Sequence, residues 1–277
     1  MKNRIGVLIN YKKDTDIKAK FLAAKEMGIE SCQLSMWDSS MFNDEYAATV
    51  REAIAETGFA VSAVWVGYSG ECKWNFTEGP TTIGIVPVEY RASRLAELKL
   101  GADFADKIGV DRIITHVGFI PEDPNHPDFV GVVDALRELC EYIAPRGQYF
   151  LFETGQETPV TMLRTIEAIG LDNLGINLDT ANLILYGKAN TLDALDVFGK
   201  YVMETHIKDG VYPVDGMKLG RERKFGDGKA NFPAVIKKLN ELGYKGDFTI
   251  EREISGDEQI ADIKLARSGL IKIMEGI

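Results

Sequence analysis

Between Tyr149 and Glu253 the chain repeats one pattern four times: YFLFET (Tyr149–Thr154), LGINLDT (Leu174–Thr180), VMETHIKD (Val202–Asp209) and DFTIERE (Asp247–Glu253). Each is an apolar run fit for a buried parallel strand. Each ends in a group that such a strand cannot comfortably bury unpaired: Glu153, Asp179, His206 and Glu251. In a barrel of parallel strands all C-terminal ends open on one face, so residues far apart in sequence converge on one small volume. Three carboxylates and an imidazole there would repel one another unless a divalent cation held them. The pattern predicts a metal site, and with it chemistry.

Outward from these strands a punctuation mark recurs, a helical stretch followed by Gly and an apolar residue. It stands at Gly28-Ile29, Gly58-Phe59, Gly109-Val110, Gly170-Leu171 and Gly243-Tyr244. Glycine closes the last helical turn in the left-handed conformation, and the next residue packs back on it. Repeated helix-to-strand returns of this kind mean a parallel sheet. Strands are expected at Arg4–Ile9, Ser31–Met36, Ala60–Val66, Arg112–Val117, Tyr149–Glu153, Leu174–Asp179, Val202–Lys208 and Phe248–Glu251. A helix follows each, from Asp16–Met27 to Glu258–Glu275. The fold class is therefore α/β, a (β/α)8 TIM barrel in one domain over residues 1–277. An open doubly wound sheet would usually carry a Gly-rich loop after its first strand, and Asn10-Tyr11-Lys12-Lys13 stands there instead. The longest irregular stretches, Gly67–Pro87, Gly118–Asp128 and Gly210–Asn231, all follow strands, on the face where a barrel keeps its active site.

Composition excludes several classes. A chain of 277 residues with 45% hydrophobic content suits one barrel of roughly 250 residues. A net charge of −10 without a basic block argues against nucleic acid. Three cysteines without a CxxC read as reduced thiols in a cytoplasmic protein. The opening apolar stretch Ile5–Ile9 is too short for a secretory signal, and no run approaches the roughly 18 apolar residues of a membrane span. The implied partner is a small molecule, and a homo-oligomer is left open.

Each ligand candidate has a plainer reading: Asp179 as a helix cap, Glu153 paired with Arg164, His206 as a satisfied near-core histidine. Four of them at the same relative position on consecutive strands favour the joint metal site. Three oxygens and one nitrogen form a hard set suited to Mn²⁺ or Mg²⁺, with Co²⁺ or Zn²⁺ also compatible.

These residues resemble the xylose-isomerase-like barrel superfamily of sugar isomerases and epimerases, which includes the ketose 3-epimerases. The resemblance spans nearly the whole chain and is strongest from Phe150 onward. It also covers Phe225-Gly226-Asp227-Gly228 and Asn231-Phe232-Pro233, which are similar to the family's element before helix seven. It implies one divalent metal on Glu153, Asp179, His206 and Glu251, with Glu153 and Glu251 also the catalytic acid/base pair. On that pattern one glutamate removes the proton beside the carbonyl of a metal-chelated sugar or sugar phosphate, and the other returns it from the opposite face of the enediolate. Two departures bear on the substrate rather than on the metal core. Asn182 stands where many ketose 3-epimerases have His, and where they carry a second Glu a few residues beyond the strand-five Glu this chain reads Thr154-Gly155-Gln156-Glu157-Thr158-Pro159.

Further substrate-binding candidates are His116, Asn182, Lys208, Arg221, Trp37 and Trp65. His116 is a hydrogen-bonding partner or a polar plug. Lys208, two residues past His206 and on its face, neutralises an oxyanion or phosphate, or caps Asp179. Arg221, with Arg223 and Lys224, binds phosphate or is a solvated charge run. Trp37 and Trp65 form an apolar wall against a sugar ring or pack the barrel. The competing reaction is a lyase or dehydratase on the same metal and glutamates, like inosose dehydratases and enzymes that cleave keto-glycosides or C-glycosides. An endonuclease IV-like repair enzyme would need a histidine-rich multi-zinc site and a basic groove, which three histidines and a charge of −10 do not supply.

Overall fold

The protein is described from a computed structural model over residues 3–276. In chain order its strands are β1 (Ile5–Asn10), β2 (Ser31–Met36), β3 (Ala60–Val66), β4 (Arg112–Thr115), β5 (Tyr149–Glu153), β6 (Leu174–Asp179) and β7 (Val202–Ile207). A short hairpin of β8 (Asp209–Val211) and β9 (Arg221–Arg223) follows, then β10 (Phe248–Ile250). Strands β1 to β7 and β10 close into a barrel, with every neighbouring pair parallel and β10 joining β7 to β1. The helices are α1 (Ile17–Glu26), α2 (Asp44–Thr57), α3 (Gly79–Thr82), α4 (Val88–Lys107), α5 (Pro127–Ile143), α6 (Pro159–Ile169), α7 (Asn182–Leu185), α8 (Thr191–Phe198), α9 (Phe232–Glu241) and α10 (Asp257–Glu275).

The eight barrel strands and eight long helices expected from sequence are all present, with ends displaced by a few residues at most. The five punctuating glycines all have positive φ, and Gly58 and Gly170 cap α2 and α6 in the left-handed region. Helix α9 shows why these segments dock: Phe232, Val235, Ile236 and Leu239 recur at helical spacing, and all four are buried. The stretch Gly210–Asn231 is less irregular than expected, because it contributes both strands of the hairpin except Asp209.

The period of two along each strand sorts its side chains. Phe150 and Phe152 of β5, Ile176 and Leu178 of β6, and Phe248 and Ile250 of β10 join the apolar shell between barrel and helices. Their alternates Leu151, Glu153, Asn177, Asp179 and Thr249 therefore face the barrel interior. A small separate cluster of Ala63, Trp65, Ile114 and Leu151 fills one side of that interior. At the N-terminal end of the barrel, Arg112 pairs with the buried Glu204, and Arg4 meets Asp247 at 2.9 Å. The polar interior is thus closed at one end by ion pairs and open at the other.

Candidate active site

Glu153, Asp179, His206 and Glu251 end β5, β6, β7 and β10 or follow them directly, and the barrel brings all four together. One ligand atom from each can be chosen so that all lie within 4.8 Å of one another. His206 Nδ1 lies 2.9 Å from Glu153 Oε1, 3.2 Å from Glu251 Oε2 and 3.9 Å from Asp179 Oδ2. Asp179 does serve as the cap the sequence allowed: its Oδ1 accepts from the Ala181 and Asn182 amides at 2.7 and 2.8 Å. Its other oxygen, Oδ2, is buried without a hydrogen-bond partner. A buried carboxylate oxygen left this way is costly unless a cation approaches it. An ion at the usual distance of about 2.0–2.6 Å from hard ligands could reach all four groups. The donor set and the orphaned oxygen both fit a divalent metal.

A ring of amides orients these side chains. His206 Nε2 faces Gln33 Oε1 at 2.6 Å, the Gln33 amide donates to Asn177 Oδ1 at 3.0 Å, and the Asn177 amide donates to Glu153 Oε2 at 2.8 Å. The indole of Trp65 donates to the same Glu153 oxygen at 2.9 Å. With Gln33 accepting from Nε2, the histidine presents Nδ1 to the carboxylates. Gln33 and Asn177 were not singled out from the sequence. The available signal was a buried amide on the interior-facing alternation of SCQLSM and LGINLD.

Charge in this buried cluster is strongly redistributed. Burial alone would lift Glu251, but Lys208 and His206 outweigh it and hold its carboxyl well below the usual range. Burial likewise opposes ionisation of Glu153, and the charge and hydrogen bond of His206 prevail and lower it. Asp179 goes the other way, pushed well up by burial that Lys208 only partly offsets. His206 is raised well above an ordinary histidine, its burial overcome by Glu153 and Glu251. The two glutamates are therefore favoured as carboxylates, and Asp179 is the one whose ionised form burial disfavours.

Around the cluster opens a cavity of about 650 Å³ whose lining includes Glu153, Glu251, His116, Asn182, Trp37, Trp65 and Trp74. His116 reaches it, buried, with Nδ1 unpartnered and its charged form disfavoured first by burial. Lys208 Nζ lies 2.9 Å from Glu253, 3.3 Å from Glu251 and 3.7 Å from Asp179, and donates to Asn182 Oδ1 at 3.3 Å. Trp37 and Trp65 form one aromatic wall at 5.0 Å. Trp74, which the sequence reading did not name, extends it to 6.3 Å from Trp37 and 5.1 Å from His116. Arg221 differs: it is exposed on β9 and is not among the residues lining the cavity. Arg164 meets Glu122 at 3.8 Å, and its guanidinium also donates to that residue's carbonyl, rather than serving Glu153.

The glycine-rich element before α9 has a physical cause. Asp209 collects four amides: Gly210 and Ala230 on Oδ1 at 2.9 and 3.1 Å, and Gly226 and Gly228 on Oδ2, each at 2.9 Å. A Cβ on Gly228 would lie 2.1 Å from that carboxylate, so only glycine fits. Phe225 then stacks on Phe232 at 4.1 Å, fixing the loop to the start of α9.

A closed parallel barrel with three carboxylates and an imidazole at its mouth defines a class, and the sequence profile of xylose isomerase-like TIM barrels matches residues 21–270. The chain belongs to that family. It is similar to a xylose isomerase domain protein from Planctomyces limnophilus, with 33% identity, a TM-score of 0.87, and coverage of 99% of this chain and 96% of that one. It also shares the fold of 3-keto-D-glucoside 4-epimerase from E. coli, at 20% identity and TM-score 0.75 over 98% and 100% of the two chains. A xylose isomerase-like TIM barrel protein from Mycobacterium smegmatis in complex with magnesium is 18% identical, with TM-score 0.74 over 98% and 96%. Among curated proteins, an uncharacterized protein of Methanocaldococcus jannaschii is 31% identical over 153 residues. That match takes in 51% of this chain and 50% of the relative, so the chain spans about half the length of that protein. No helix among the described residues is long and apolar enough to cross a membrane.

Proposed function

We propose that the protein is a divalent-metal-dependent sugar isomerase or epimerase that moves a proton on the carbon beside a substrate carbonyl. The observation that carries this is the convergence of Glu153, Asp179, His206 and Glu251 around one buried oxygen, Asp179 Oδ2, that makes no hydrogen bond. A divalent ion on these four would supply Lewis acidity, polarising the substrate carbonyl and acidifying the adjacent C–H. The magnesium complex of the M. smegmatis relative and the epimerase named among the fold neighbours support this reading.

The rest follows from the chain's own groups. Glu153 and Glu251 both line the cavity, so one, as carboxylate, would take the proton and the other, entering the turnover protonated, would return one. Asn182, in the lining beside Glu153, is a donor for substrate oxygens, and Lys208 holds Asn182 and Glu251 in place from behind. The tryptophan wall offers an apolar face to the sugar ring. Electrostatics favour an uncharged sugar over a phosphate ester. Arg252 in the lining is committed to Glu222 at 2.6 Å and Asp262 at 2.8 Å, Lys208 is shared among carboxylates, and Arg221 is outside.

The test is solvent deuterium exchange into a panel of ketoses, inososes and keto-glycosides, followed by NMR with and without added metal. Incorporation at a single carbon, only with metal and with recovery of an isomeric sugar, is the expected result. Loss of water or an aglycone would reassign the protein as a lyase. No exchange across the panel with metal bound would overturn the reading. Glu153→Gln and Glu251→Gln should each slow exchange by about 10²–10⁴-fold, because the amide keeps the shape but cannot carry the proton.

A further inference from the structure

A second cavity of about 560 Å³ opens beside the first, and the two share Asn10, Ser35 and Trp37 in their linings. Trp37 is 41% exposed although its ring is braced on three sides, 5.0 Å from Trp65, 5.7 Å from Tyr68 and 6.3 Å from Trp74. Gly67 permits this placement. A Cβ there would lie 2.6 Å from Trp37 Cδ2 and 2.7 Å from its Cα. The result is a fixed indole that offers apolar surface to both chambers.

Size and charge say what the second chamber suits. Cavities that enclose drug-sized ligands run to roughly 300–1,000 Å³, so the first alone exceeds the needs of one sugar ring. The charged groups lining the second are balanced, Lys12 and Lys13 against Asp14 and Asp38, with Lys13 Nζ 2.8 Å from Asp38. An anion gains nothing from such a lining. A neutral polyhydroxylated ring would find an aromatic face in Trp37 and the polar side chains of Asn10, Ser35, Ser39 and Ser69 in the same lining.

We propose that this second cavity is a subsite for the second sugar of a glycosylated substrate. The reacting keto-sugar lies over the acidic cluster, and the ring joined to it rests against Trp37 in the neighbouring chamber. The inference rests on the reaction proposed above and adds the size and neutrality of its substrate.

Calorimetric titration of the Mn²⁺-loaded protein tests it, comparing fructose with isomaltulose and turanose, in which a glucose unit is joined to the fructose. Deuterium exchange into the same three sugars is followed in parallel. The disaccharides should bind about tenfold or more tightly than fructose. Asp14→Trp, which fills the second chamber from an exposed loop position, should bring them back to the affinity of fructose. Lys12→Trp is a second filling variant of the same kind, and thermal melts establish that each is folded. Failure of both disaccharides to outbind fructose overturns the subsite, as does a preference that survives both filling variants. The affinity ratio tests the subsite and the exchange tests the reaction, so the two fail separately.

Discussion

Replacing Arg94 with methionine should loosen one wall of the cavity more than it destabilises the barrel. Arg94 is fully buried on α4, and its guanidinium donates to four carbonyls of the loop before that helix. These are Ser69 at 3.1 Å, Glu71 at 2.9 Å, Thr82 at 2.7 Å and Gly84 at 2.6 Å. The rings of Tyr68 and Tyr90 stand 4.3 and 4.2 Å from its Cζ. Among the described residues no carboxylate pairs with it within 4.0 Å, and burial disfavours its charge. Charged hydrogen bonds are worth about 1.5–3 kcal/mol each, and cation–π contacts about 0.5–2. Against these stands a desolvation penalty of several kcal/mol for an unpaired guanidinium, leaving a net loss of about 3–5 kcal/mol in Arg94→Met. Methionine keeps the stem's packing, so the loss falls on the loop from Ser69 to Gly84, which carries Trp74. Denaturant melts should show the global cost, and hydrogen exchange should show protection lost at Lys73 and Gly84. Their amides now donate to Thr82 Oγ1 and the Tyr68 hydroxyl. Strands β5 and β6 should stay protected. A variant within about 1 kcal/mol of the wild type and with unchanged loop protection would refute the clamp.

Saturating Mn²⁺ or Mg²⁺ should stabilise the protein by about 2.7 kcal/mol at a hundredfold excess over Kd. That is about 5–10 °C in melting temperature for a chain of this size, and Asp179→Asn should lose most of it. Scanning calorimetry with chelator and with metal reads this directly, and an unchanged melting temperature at every metal concentration would count against the site. Glu157 offers a separate test on pH. Burial pushes its carboxyl up to about 8, so it folds in the protonated form. Its contribution is full below the unfolded value of about 4.3 and is lost as pH rises through 8. At about 1.4 kcal/mol per unit the loss reaches up to about 5 kcal/mol. Glu157→Gln should flatten stability between pH 5 and 8 in urea melts, and an unaltered slope would assign the effect elsewhere.

The barrel was legible because its signals are local. Each buried strand carries its own apolar run, each return its own glycine, and each side chain of the candidate metal cluster sits at or next to the end of its own strand. Features that depend on closure were not. Gln33 and Asn177 lie 144 positions apart and meet only because β2 and β6 face each other across the interior. Trp74 joins the aromatic wall through a loop whose shape depends on Arg94, a residue that in sequence looks like an ordinary helix-surface charge. The β8–β9 hairpin is too short to show periodicity and forms where Asp209 gathers its amides. Arg221 takes the plainer of its two readings: pairing within the hairpin leaves it in solvent.

The aromatic wall has one more consequence. The chain holds three tryptophans, Trp37, Trp65 and Trp74, and all three line the same cavity. Intrinsic indole emission from this protein therefore comes from the mouth of the barrel alone, without background from the helices or the surface. Quenching or a spectral shift on adding a metal or sugar is a label-free optical report from the site itself.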